Sequence, residues 1–300
     1  MTKNSRKPVQ SLKIPLIILL TGRFFSFFSS KLTTRFAAKI FRTPIKYKIP
    51  KREFEMDEKS RQETILISSI NKKVVVYEYG STNKKILLVH GWSGRGTQMY
   101  KIADSLLKNG FSTISFDAPA HGKSPGNASI MIEYIETILF LEEKYGKFEG
   151  AIGHSLGGIS LLNATRKGLQ IKYLITIGSA NLIKDIINDF VVKMQLKPKY
   201  SDLLQNYFEK KYNQTMDSLS AYLSAAAIEI PVLVIHDNND AEVPVHCAIQ
   251  IHKNLKNGQL MLTKGMGHTK ILGDSIVIGQ IIDFILSGNL NRKIAIETNL

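Results

Sequence analysis

The chain has 300 residues, 44% of them hydrophobic, enough for one sizeable α/β core with an insertion, and no internal period marks a solenoid or propeller. Its one cysteine, Cys247, excludes an intrachain disulfide and any cysteine-based metal framework, and suits a reducing compartment. The net charge of +15 is local: residues 1–52 hold 13 basic residues and no acid, against 27 basic and 25 acidic residues in the remainder, so no nucleic-acid partner is expected.

Residues 1–52 therefore read as a distinct basic, amphipathic segment. After Lys3, Arg6, Lys7 and Lys13 comes an apolar run at 14–20, shorter than the roughly 20 residues needed to span a bilayer. From Phe24 to Phe41 the spacing predicts a helix. Phe25, Leu32, Phe36 and Ile40 share one side, and Lys31, Arg35, Lys39 and Arg42 form a basic stripe beside it. Thr43-Pro44 should end it, because the residue before proline avoids the α region. Three readings fit this segment: a helix docked on the body, an interfacial helix on an anionic membrane through residues 14–42, or a signal peptide or anchor. Arg23 and the want of a clean small-residue cleavage site count against the last. The expected location is cytoplasmic, with this segment available to the inner membrane surface.

Residues 46–80 suggest short strands around a charged loop, with a β-branched and aromatic strand at 72–79. Strands and helices then alternate. Strands are expected at 86–89, 111–116, 150–152, 173–177, 232–235 and 259–262. Helices are expected at 97–108, 130–145, 158–166, 245–255 and 275–286. Such alternation gives a mostly parallel sheet covered by helices on both faces. Residues 181–227 break the pattern as two or three helices, an insertion that reads as a helical cap within a domain spanning 53–300. Its Phe190, Met194, Tyr207 and Phe208 could line a substrate pocket or simply pack the insert onto the body.

Four motifs carry chemistry. Gly153-His154-Ser155-Leu156-Gly157 lies between a predicted strand and a predicted helix. Glycines two residues either side permit a tight turn that lifts the Ser155 hydroxyl above the sheet. The pattern also occurs by chance in unrelated proteins, so the context gives it weight. His90-Gly91-Trp92-Ser93-Gly94-Arg95 follows the strand at 86–89, where the Trp92 N–H could join that of Leu156 in binding an oxyanion. After the strand at 232–235 come Asp237, Asp240 and Glu242; Asp240 is the preferred partner of a catalytic histidine, with Asp237 its competitor and Glu242 behind. Gly265-Met266-Gly267-His268 places a histidine on a flexible turn after the strand at 259–262, where it could act as general base. Of the other histidines, His90, His121, His154 and His236 lie out of order or too near the turn, and His246 and His252 fall on a predicted helix.

Taken together, HGWSGR at 90–95, FDAPAHGKS at 116–124, GHSLGG at 153–158, HDNND at 236–240 and GMGH at 265–268 resemble the α/β-hydrolase superfamily over roughly residues 70–290. DAPAHG is similar to a bacterial esterase-like subgroup. The resemblance implies a Ser155, Asp240, His268 triad, a backbone oxyanion hole at Trp92 and Leu156, and a cap after the sixth strand. It implies no cofactor and no metal, and a small-molecule ester or thioester as substrate. Serine at 155 departs from the dehalogenase and epoxide hydrolase members, which carry aspartate there. Asp237 stands where glycine is frequent, which leaves two carboxylates in one loop. Alternatives are acyl transfer by the same triad, or a non-catalytic membrane-associated module.

Overall fold

The computed structural model describes residues 14–287. The basic start at Lys3–Lys13 and the chain beyond Ser287 lie outside the described residues. Eight strands form one sheet in the order β1-β2-β4-β3-β5-β6-β7-β8. They are β1 Arg61–Ile67, β2 Lys72–Tyr79, β3 Lys85–Val89, β4 Ser112–Asp117, β5 Phe148–His154, β6 Ile171–Ile177, β7 Val232–Asp237 and β8 Gly258–Thr263. Only β2 runs against the others; it pairs antiparallel with both β1 and β4, and every later pairing is parallel.

Strand residues alternate between two cores. Leu87, Val89, Ile114, Phe116, Ala151, Leu174, Val232 and Val234 face one. Ile86, Leu88, Ile152, Ile175, Ile177, Leu233 and Ile235 face the other. A sheet buried on both faces in this way favours continuous apolar strands, as the Ile, Leu and Val runs of β3 and β7 show.

The helices are α1 Leu16–Phe28, α2 Ser30–Phe41, α3 Phe54–Lys59, α4 Tyr100–Lys108, α5 Met131–Tyr145, α6 Leu156–Arg166, α7 Ile183–Lys193, α8 Lys199–Tyr212, α9 Ala221–Ala226, α10 His246–Asn254, α11 Gly267–Lys270 and α12 Ser275–Ser287. α4 and α12 supply the second core, while α5 and α6 pack on the first. The expected strands and helices of the body are all present, with ends displaced by a few residues.

The N-terminal segment departs from the single helix expected over 24–41. It forms two helices, because Ser29 takes an extended backbone (φ −156, ψ 118) and its Oγ accepts the Leu32 N–H, capping α2. Thr33, Thr34, Ala37 and Ala38 are buried, and the two alanines belong to the first core. α2 lies against α8, with the Phe41 ring 5.0 Å from Phe190 and 5.3 Å from Phe208. The helical insert at 181–227 is present, but Phe190, Met194, Tyr207 and Phe208 pack among the N-terminal helices and the first core. None of the four lines the cavity described below. Their partner is α1 and α2, which offer a complementary apolar surface that the local pattern at 181–227 cannot reveal.

Candidate active site

Ser155 is the one residue between β5 and α6, at φ 52 and ψ −117. That conformation is strained for an L-residue, by about 1–3 kcal/mol, and is held by its surroundings. The Ser155 N–H donates to the Ile177 carbonyl at 2.8 Å. A Cβ on Gly153 would come 2.6 Å from the Gly157 backbone, and one on Gly157 would strike the Val89 carbonyl oxygen. The glycine spacing thus has two steric reasons: the turn closes on itself, and α6 starts hard against β3.

Asp240 and His268 meet directly. His268 Nδ1–H donates to Asp240 Oδ2 at 2.7 Å, which leaves Nε2 as the ring's lone-pair nitrogen. Asp240 Oδ1 accepts the Glu242 and Val243 N–H groups at 2.8 and 2.9 Å. Burial works to raise the Asp240 pKa, but His268 and these backbone donors outweigh it and hold the carboxyl below its ordinary value. Asp237 does not reach the imidazole. It accepts Thr263 Oγ1 at 2.8 Å, the Met266 N–H at 3.0 Å and the Asn239 N–H at 2.9 Å. The competitor carboxylate therefore ties the turn that carries His268, while Asp240 touches the ring. Glu242 lies on the other side, its carboxylate 3.9 Å from His268 Nε2, with burial pushing its pKa up.

His154 is buried under the same ring. Its Nε2–H donates to the His268 carbonyl at 2.8 Å, and the two ring centroids are 4.6 Å apart. Burial, then the neighbouring His268, push its pKa down to about 3, so it stays neutral. The pattern of residues around 155 could not reveal this prop, which depends on a contact 114 residues away.

The loop at 90–97 is fixed by a buried polar network. His90 donates through Nδ1–H to the Gly91 carbonyl at 2.6 Å and accepts the Ala118 N–H on Nε2 at 3.0 Å. His121 donates to the Pro119 carbonyl at 3.0 Å and accepts the Tyr134 hydroxyl at 3.2 Å. Burial pushes His90 well below its usual pKa and His121 down to about 4. Asp117, also buried, accepts the Gly96 and Lys123 N–H groups, both at 2.7 Å. A Cβ on Gly91 would lie 3.0 Å from Ser155 Cβ, so this loop abuts the serine. The Trp92 N–H has no acceptor among the described residues. The Leu156 N–H opens α6, where the first N–H groups of a helix lack intrahelical acceptors.

Ser155, His154, His268, Glu242 and the 91–95 loop line one cavity of about 1030 Å³ at the carboxyl edge of the sheet, closed further by residues 265–274. No hydrogen bond joins Ser155 Oγ to the His268 ring among the described residues. Such contacts are often long without substrate. The unexpected wall is N-terminal: Tyr47, Arg52 and Glu53 line the same cavity. Glu53 is buried and accepts Arg95 Nη1 at 3.1 Å and Thr97 Oγ1 at 2.8 Å. The Ile45 N–H donates to Ser93 Oγ at 3.0 Å. The segment at 45–53 is thus strapped to the loop that carries Trp92. Its only sequence trace is that Glu53 is the first acid of the chain.

Comparison with known proteins agrees with this architecture. A family model described as alpha/beta hydrolase fold matches residues 84–221, and one described as TAP-like protein matches residues 210–295. The AB hydrolase superfamily protein YisY of Bacillus subtilis (strain 168) is 22% identical over 245 residues, covering 66% of this chain and 90% of that protein. An esterase from Exiguobacterium antarcticum superposes with a TM-score of 0.61 at 17% identity, over 76% of this chain and 100% of its own. A bromoperoxidase from Bacillus anthracis gives 0.59 at 16% identity, over 75% and 99%. At these identities the structures speak for the fold and not for a shared reaction. With the strand order, the single antiparallel β2 and the strained turn at Ser155, they show that the chain has the α/β-hydrolase fold.

Proposed function

We propose that this chain is a serine hydrolase that cleaves a carboxylic ester or thioester of a small molecule through an acyl-enzyme. The observation that carries the reading is the His268–Asp240 contact at 2.7 Å on the wall of a cavity that also holds Ser155 on a strained turn. Its support among relatives is the esterase from Exiguobacterium antarcticum that shares the fold.

In this reading His268 Nε2 takes the Ser155 hydroxyl proton as Oγ attacks the carbonyl carbon. The tetrahedral oxyanion accepts the Trp92 and Leu156 N–H groups, each such donor being worth roughly 10²–10³ in rate. Asp240 keeps the proton on Nδ1 and stabilises the imidazolium. The ring then hands its proton to the departing alkoxide or thiolate, and water attacks the acyl-enzyme with His268 as base again. His154 and Asp237 are positioning residues: one props the ring from beneath and the other ties its loop.

Hydrolysis of p-nitrophenyl esters from acetate to palmitate tests the reading. The expected outcome is saturable hydrolysis in the wild type, with a chain-length preference set by the cavity, and its loss in His268→Ala. A folded wild type inert towards the whole ester series and towards acyl thioesters would contradict it.

A further inference from the structure

α1 is apolar on both sides, and only one side is covered. Its inner face meets the protein: Phe25 packs edge-on against Phe36, and Gly22 faces Met194 and Phe36. Its outer face carries Leu16, Ile17, Leu20, Phe24, Phe27 and Phe28, each between 55% and 78% exposed. At about 100° per residue these six fall within an arc of about 120°. Single exposed apolar residues are ordinary, but a continuous stripe of six marks a contact surface.

The surroundings name the partner. Arg23 borders the stripe, and Lys31, Arg35 and Lys39 stand exposed along α2 beside the half-exposed Leu32. Lys48, Lys51 and Arg52 are also exposed. No acid occurs before Glu53, and none of these cations is paired with a carboxylate among the described residues. A protein groove wants a shaped ridge with matching polar rims. Here an exposed stripe of Phe, Leu and Ile is bordered by Arg23 and followed in the next helix by unneutralised cations, the composition that suits the headgroup boundary of an anionic bilayer. No described helix is long and apolar enough to cross a membrane, and the 13 residues of α1 would lie along it.

We propose that the outer face of α1, with the basic stripe of α2, seats this protein on an anionic lipid surface. The same segment runs from α2 into the cavity wall at Tyr47, six residues beyond Phe41, so the seated helices and the cavity are joined by a short stretch of chain. The proposal concerns binding and stands whether or not Ser155 is a nucleophile.

The test is flotation of the full chain with vesicles of phosphatidylcholine alone or mixed with phosphatidylglycerol. Binding to the mixed vesicles is expected, with far less to phosphatidylcholine, and it should fall as salt rises. Phe24→Asp with Phe27→Asp should weaken it by roughly 100-fold or more, and Lys31→Glu with Arg35→Glu should remove the preference for anionic lipid. Both pairs are exposed, so circular dichroism should match the wild type. Three results would overturn the proposal. One is no association with anionic vesicles, and another is equal binding by the phenylalanine variant. The third is a wild-type dimer in sedimentation that the phenylalanine variant abolishes, since the stripe would then join two copies.

Discussion

The loops at the carboxyl edge of the sheet and the helix pair at the N-terminus handle their exceptional residues in opposite ways. In the loops, side chains that are costly to bury are buried and held: Asp117, Asp237, Asp240, His90 and His121 each have at least two hydrogen-bond partners, while His154 and His236 each keep one ring nitrogen bonded and leave Nδ1 without a partner. In the helix pair, large apolar side chains that would be cheap to bury are left in solvent. The difference teaches what each region is built to hold. Polar groups held by two or more partners are fixed closely in position, as a reaction requires. An uncovered apolar stripe fixes nothing until something covers it.

The sharpest division within the loops is between Asp240 and Asp237, and it can be broken by exchange. Asp240→Asn keeps a carbonyl oxygen for the Glu242 and Val243 N–H groups but turns an amide donor towards His268 Nδ1, which selects the wrong tautomer and should lower kcat by roughly 10²–10⁴-fold, with a thermal midpoint close to the wild type. Asp237→Asn should do the reverse. It weakens a buried carboxylate that ties Thr263 and Met266, costing about 2 kcal/mol in urea unfolding, while the folded fraction keeps most of its rate. Equal losses of rate in both variants would erase the distinction.

Gly157→Ala probes the strained turn. The new methyl would strike the Val89 carbonyl and crowd that of His90, so stability should fall by more than about 3 kcal/mol. A smaller loss would mean that α6 can slide on β3.

A milder probe is pH. Burial first of all drives His154 down to about 3 and His121 down to about 4, from 6.5. Unfolded, each ring gains a proton as pH falls below about 6.5; folded, each stays neutral until those lower values. The unfolded chain binds more protons in that window, so stability should drop by about 1.4 kcal/mol per pH unit for each ring between pH 6.5 and 4. Asp237 and Asp240 have lowered folded values, so the stability they give is full above 3.8 and is lost only as pH falls through those values. Urea midpoints at pH 7 and pH 5 should differ clearly. Identical midpoints would mean that the buried rings are protonated in the fold.

Much of this was legible in the sequence because it is local. The strands of a sheet covered on both faces announce themselves as apolar runs, and a serine between glycines at two-residue spacing needs no distant partner to be noticed. What was not legible is long-range. Glu53 meets Arg95 across 42 residues, and His154 meets His268 across 114. Phe190 and Phe208 pair with Phe41, which decides between the two roles open to them in favour of packing, here against the N-terminal helices. The break at Ser29 lies between: a serine inside an apolar pattern can face solvent or cap a new helix, and only the backbone decides.

The central claim is that Ser155 is the activated nucleophile. Labelling with a fluorophosphonate, followed by intact mass and peptide mapping, tests it most directly. The account predicts one adduct per chain, located on Ser155, absent in Ser155→Ala and greatly slowed in His268→Ala. A folded wild type that takes up no label, or a Ser155→Ala variant that labels as well as the wild type, would contradict it.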